Sequence, residues 1–239
     1  MHDILRQTWL VPVLALLGVV VALLAAAGIS VDSAQRLLVE GGPVEIVSAA
    51  LQFLVAAIAL LLWTRRGGLF GLLAIASFLM GAREIDLHTA FTTHGIFSTK
   101  EYFRPGPPLL EKILAGSALL VVLALVVGGV LASWKELARL ARARNATIIG
   151  LATIVLLLPV LKLFDALPRM AREVGMPVGE VGVKYLLAVE ELGELMLPVL
   201  MLVVLVQLRV GRNSHAVRSP DAPSLHWAPA RRHHPEPRI

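Results

Sequence analysis

The sequence predicts an all-α polytopic membrane protein with six transmembrane helices, and three observations lead to this fold class. Of the 239 residues, 57% are hydrophobic and 16% are charged, whereas an ordinary soluble domain has about 25% charged residues. Six apolar runs follow one another along the chain, and a helix needs about 20 apolar residues to cross a bilayer. The basic residues concentrate in alternate loops. Together these features indicate a helix bundle that is dissolved in lipid.

The apolar runs predict helices over residues 9–29, 44–63, 67–88, 109–134, 146–165 and 185–208, all within one transmembrane domain of residues 1–208. The first run has a second interpretation as a secretory signal, because Ala25, Ala26 and Ala27 offer a small-residue cleavage site. That run is longer than the usual signal core of about 7–15 residues. Residues 209–239 contain five of the 14 prolines, which predicts a disordered, basic cytoplasmic tail.

The distribution of Lys and Arg predicts the orientation. With both termini in the cytoplasm, the inner segments contain 13 of the 22 basic residues but 4 of the 17 acidic residues. Because cytoplasmic loops of membrane proteins are enriched in Lys and Arg, we expect a multi-pass protein of a bacterial-type inner membrane. The basic residues form no patch interleaved with aromatic residues, so the expected partners are membrane lipids and not nucleic acid.

Acidic residues lie at the outer ends of predicted spans whose charge-free stretches are too short to cross a bilayer. In the last helix the charge-free stretch Leu195–Val206 has 12 residues, which is about 18 Å at 1.5 Å per residue. The span must therefore extend outward through Glu190, Glu191 and Glu194. A lone charge at this depth costs at least about 2.5–3.5 kcal/mol on insertion scales. We therefore expect these groups to face other polar groups in an outward-facing acidic pocket.

Helical phase adds further members to this pocket, since residues three or four apart share a helix face. The expected ion-pair network comprises Glu45, Ser48, Arg83, Asp86, Glu111, Lys162, Asp165, Arg169 and Lys184. In the structural interpretation its cations neutralise the glutamates and the network fixes the register of the helices.

Two chemical interpretations compete with the structural one. Glu84 and His88, spaced i and i+4, could hold a divalent metal such as Zn, Mn or Fe together with Glu190, Glu191 and Glu194 from a facing helix. Alternatively, Glu84, His88, Glu191 and Glu194 could act as catalytic acids and bases, because neighbouring carboxylates in a low-dielectric pocket suit proton exchange.

Two short motifs resemble known families. Gly42-Pro43-Val44-Glu45 and Arg83-Glu84-Ile85-Asp86, followed by His88, resemble a family of uncharacterised bacterial multi-pass inner-membrane proteins, a resemblance that implies the architecture alone. Ser48, Asp86 and His88 have a fainter likeness to the membrane hydrolase superfamily that includes alkaline ceramidases, which implies zinc hydrolysis. The paired histidines of that superfamily's final motif are absent, and glutamates occupy the region.

Three functions are compatible with this sequence. The first is a non-catalytic assembly or scaffold subunit that binds a membrane-protein partner. The second is an intramembrane enzyme that acts on a lipid-linked substrate. The third is a proton-coupled transporter, although the inner halves of the predicted helices contain almost no ionisable residue.

Overall fold

The computed structural model describes residues 4, 7–38, 41–66, 68–87, 89–103 and 106–217, and these ranges contain helices and no strand. Lys100, residues 65–66 and residues 212–217 are described in their backbone alone. In chain order the eight helices are α1 Leu10–Gly28, α2 Val31–Leu37, α3 Pro43–Arg66, α4 Leu69–Glu84, α5 Thr99–Phe103, α6 Leu109–Arg142, α7 Ala146–Glu173 and α8 Glu180–Val217.

Each of the six predicted spans coincides with one of the long helices. Four of them, α1, α3 over Pro43–Thr64, α6 and α7, are long and apolar enough to cross a membrane. Of the other two, α4 has 16 residues, and α8 contains Glu190, Glu191 and Glu194 within its N-terminal half. The all-α class and a membrane location are therefore consistent with the structure.

The predicted boundaries differ most where charged residues follow an apolar run. Helix α6 continues to Arg142, past the predicted end at 134, and α7 continues to Glu173, past 165. Helix α8 reaches Val217, beyond position 209 where we placed the start of the tail, and residues 218–239 lie outside the described ranges. Hydropathy marks the limit of the apolar stretch, whereas Lys, Arg and Glu are themselves good helix formers, so the helices continue.

Helix α8 is the centre of the bundle and packs against α1, α2, α3, α4 and α7. The stretch of α8 from its middle towards its C-terminal end supplies much of the hydrophobic core, including the fully buried Leu197, Leu200 and Val204. Helices α3 and α4 form a hairpin through Gly68, whose φ of 60° lies in the left-handed region. By contrast, α6 lies at the edge of the bundle and packs mainly on α4.

Small residues allow the central helices to approach closely. A Cβ added at Gly193 in α8 would lie 2.4 Å from Cδ2 of Leu161 in α7, and Leu161 is itself 1% exposed. A Cβ at Gly18 in α1 would lie 2.8 Å from Cγ of Met196. The absence of a side chain at Gly193 therefore sets the distance between α7 and α8, as is common between helices in membranes.

We expect Gly193→Ala to destabilise the protein by about 1–3 kcal/mol, because the buried Leu161 has little room to move away. The matched control is Gly128→Ala in α6, where no atom lies within 4 Å of the added Cβ. The higher helix propensity of alanine stabilises the helix by about 1 kcal/mol relative to glycine at either site. Thermal unfolding in detergent should therefore show a lower midpoint for Gly193→Ala alone; equal midpoints for the two variants would contradict the close packing.

Candidate functional site: an ion-pair cluster between three helices

One buried carboxylate of the bundle is shared by cations from two other helices. Oε1 of Glu194 in α8 accepts a hydrogen bond of 2.6 Å from Nη2 of Arg83, at the end of α4. The same oxygen lies 3.2 Å from Nζ of Lys162 in α7. Glu194 is 5% exposed. This arrangement joins α4, α7 and α8 at a single buried oxygen atom.

Each cation also contacts further acids. Nη2 of Arg83 lies 3.3 Å from Oε1 of Glu84, and Nζ of Lys162 donates to Oε1 of Glu190 at 3.1 Å. Lys162 also lies 3.6 Å from Oδ2 of Asp165, one turn along α7. We refer to these six residues, Arg83, Glu84, Lys162, Asp165, Glu190 and Glu194, as the ion-pair cluster.

Helix α3 reaches the ion-pair cluster through a hydroxyl group. Ser48, which is 1% exposed, donates its hydroxyl hydrogen to the backbone oxygen of Glu194 at 3.4 Å. Helical phase in the sequence placed Glu45 and Ser48 in the predicted network. Four helices, α3, α4, α7 and α8, therefore meet around Glu194, whereas the predicted network also included Glu111 of α6.

Glu191 adjoins the ion-pair cluster but has no ion pair of its own with any described residue. It is partly buried on α8, and the negative charges of Glu194, Glu190, Glu45 and Glu84 act on it. Glu84 and Glu191 thus lie on the same side of the bundle. No described cation lies within 4.0 Å of the Glu191 carboxylate.

Four predicted members of the network have other surroundings. Lys184 donates to the backbone oxygen of Ile29 at 3.1 Å, which caps the end of α1, and it does not pair with the glutamates of α8. Glu111 accepts a hydrogen bond from the backbone N–H of Thr93 in the outer loop. Asp86 is exposed in the turn after α4, with a φ of 52°. Arg169 is exposed and has no ion pair with a described residue.

Glu45 has a backbone partner of its own: its carboxylate accepts a hydrogen bond from the backbone N–H of Gly41, at the start of α3. Its main structural role is therefore that of a capping residue. Its charge nevertheless acts on both Glu84 and Glu191. Glu45 thus lies at the edge of the ion-pair cluster without pairing with its cations.

The predicted metal site finds no support in the described ranges. Among those residues, no group of three or more His, Asp or Glu side chains is arranged to hold a metal ion. Glu84, Glu190 and Glu194 are engaged by Arg83 and Lys162, which leaves fewer free oxygen atoms for a cation. His88, the predicted histidine ligand and base, lies outside the described residues.

The sequence reasoning missed several buried polar side chains. Glu101 in α5 is fully buried, and its Oε2 accepts a hydrogen bond of 2.9 Å from the backbone N–H of His94. Gln207 in α8 is 4% exposed, and neither of its amide atoms has a partner. Hydropathy gave no signal for either residue, because their burial depends on which neighbouring segment covers them.

Comparison of the chain with protein-family models, curated proteins and solved structures finds no match. The resemblances noted in the sequence therefore remain predictions, and the function has to be argued from geometry.

We expect Glu194→Gln to destabilise the protein by about 1–3 kcal/mol, because both cations lose their shared partner. This is below the roughly 3–5 kcal/mol of a fully buried pair, since the side chains of Arg83 and Lys162 are 34% and 44% exposed. Asp165→Asn is the control: Asp165 has one contact with the cluster and is 56% exposed, so the loss should stay below about 1 kcal/mol. Thermal unfolding in detergent measures both; equal losses would argue against a central role for Glu194.

Proposed function

We propose that this chain is an integral membrane protein with six spans and cytoplasmic termini, and that it serves as a non-catalytic assembly or scaffold subunit. The observation that carries this proposal is the sharing of Glu194 by Arg83 and Lys162. Of Glu84, Glu190, Glu191 and Glu194, all but Glu191 form ion pairs with Arg83 or Lys162. This pairing favours a structural role, because a catalytic or metal-binding carboxylate needs an accessible oxygen atom. The ion-pair cluster then fixes the register of α4 and α7 against α8.

The exposed surface of α6 supports the idea of a membrane-protein partner. In its most apolar 18-residue stretch 6% of the residues are buried, against 22–33% in the other three apolar helices. A single helix at the edge of the bundle, apolar around most of its circumference, has room to pack against lipid and against a partner helix. The remaining helices would form the rigid frame that holds α6 in position.

A second candidate function, proton-coupled transport, is favoured by Glu191. A partly buried carboxylate with no ion pair is the kind of group that binds and releases protons within membranes. An intramembrane enzyme acting on a lipid-linked substrate has less support, because Glu84 and Glu194, two of its proposed acids and bases, are both engaged by Arg83.

The number of spans can be tested with single cysteines, because the natural chain has none. We expect a membrane-impermeant maleimide, added to intact cells, to label Thr93→Cys in the loop after α4 and Met176→Cys in the loop after α7. Ala141→Cys, near the end of α6, should react only after permeabilisation. If α4 and α8 did not cross the membrane, the same cytoplasmic N-terminus would give the reverse pattern at all three positions. The cysteine-free chain is the control.

The scaffold role predicts that folding and partner binding are lost together. We expect the Arg83→Gln, Glu194→Gln double variant, isolated from its native membranes in mild detergent, to lose thermal stability and its co-purifying membrane protein. Glu191→Gln should retain both. A double variant that is stable and keeps its partner would contradict the proposal. A Glu191→Gln variant that is stable but abolishes a proton flux of wild-type proteoliposomes, measured with an internal pH dye, would favour the transporter.

A further inference from the structure

The end of the bundle opposite the ion-pair cluster contains a cavity of about 120 Å³ between the end of α6, the start of α7 and the last turns of α8. A cavity of this size has room for several water molecules and hence for a tetrahedral phosphate group. Its polar lining comes from Arg139, Asn145 and Thr147, and the rest is apolar, including Leu140 and Leu208. A few polar groups in an apolar wall are typical of ligand sites.

Positive charge lies beside this cavity, and no carboxylate of a described residue pairs with it. Arg139, which lines it, and Arg142 and Arg144, which follow within five residues, have no carboxylate of a described residue within 4.0 Å. Glu136, the nearest acid along α6, instead accepts a hydrogen bond of 3.2 Å from the backbone N–H of Leu69. The guanidinium of Arg139 is therefore available for an anion.

The start of α7 adds to this positive potential. Oδ1 of Asn145 accepts a hydrogen bond from the backbone N–H of Thr147 at 2.9 Å, which holds the first turn of the 28-residue helix at the cavity wall. The N-terminal end of such a helix carries about half of a positive elementary charge. Thr147 is 1% exposed and forms the floor of the cavity, whereas Arg139 and Ala143 are exposed, so the cavity opens to solvent on their side.

We propose that this cavity binds a phosphate group and that Arg139 is its principal ligand. Arginine presents a planar fork of N–H donors that matches phosphate oxygens. At the end of a bundle with membrane-spanning helices, the group would be the headgroup phosphate of an anionic phospholipid; a soluble phosphate ester offers the same chemistry. The lipid source rests on the proposed membrane location, whereas the phosphate site is independent of the scaffold role and of the ion-pair cluster.

The test uses the full-length chain in a non-ionic detergent and measures binding by native mass spectrometry. The probes are dihexanoyl phosphatidic acid, dihexanoylglycerol as the same lipid without phosphate, and inorganic phosphate. We expect the phosphatidic acid to bind and dihexanoylglycerol to bind at least about tenfold more weakly, which corresponds to the loss of one charged ligand. Inorganic phosphate should compete at higher concentration. If it bound as tightly as the phosphatidic acid, the lipid source would be overturned; if neither bound, the site itself would be.

Matched variants separate the cavity from the general positive charge at the end of α6. Arg139→Gln should weaken phosphatidic acid binding about tenfold, whereas Arg142→Gln, which removes the same charge from the same end of α6 but does not line the cavity, should change it less than about twofold. Equal effects of the two would overturn the proposal. Ala143→Leu fills the cavity without changing charge and should also abolish binding, so it tests the site if Arg139→Gln does not fold. Binding that survives Ala143→Leu would place the phosphate elsewhere.

Discussion

The arrangement of α3, α4, α7 and α8 depends on the carboxylate of Glu194. Its Oε1 is shared by Arg83 from α4 and Lys162 from α7. The backbone oxygen of Glu194 accepts a hydrogen bond from the hydroxyl group of Ser48 in α3. Buried charges are stable only when their partners remain in place. Four helices are therefore held at one level, and the close contact between Gly193 and Leu161 lies at this same level, one residue from Glu194 and Lys162.

The two ends of the bundle have opposite electrostatic character. At one end the acidic side chains outnumber Arg83 and Lys162, and Glu191 is left without an ion pair among the described residues. At the other end Arg139 and Arg142 at the end of α6 and Arg144 after it have no described acidic partner, and Arg139 lines a cavity. The distribution of Lys and Arg along the sequence has the same polarity. In membrane proteins such a bias sets the orientation in the bilayer. A scaffold role and a phosphate site at the basic end are compatible because they use separate residues.

Much of the ion-pair cluster was predictable from helix length and phase. The runs around Arg83, Lys162 and Glu194 were too short to cross a bilayer without these charges, so the charges had to lie within the spans and face one another. The prediction failed for Lys184 and Glu111, which bind the backbone of Ile29 and Thr93 instead. Helical phase states which face a residue occupies, but it does not state which segment lies beside that face.

The sequence by itself determined the helical class, the positions of six long helices and the uneven distribution of charge, because each depends on local composition and on the length of helix that apolar residues can fill. The tertiary structure decided which cations meet which carboxylates, that α6 remains at the edge of the bundle, and that a cavity forms beside Arg139. These features depend on contacts between residues far apart in the chain, such as Arg83 and Glu194. Local pattern carries no information on how such segments are placed side by side.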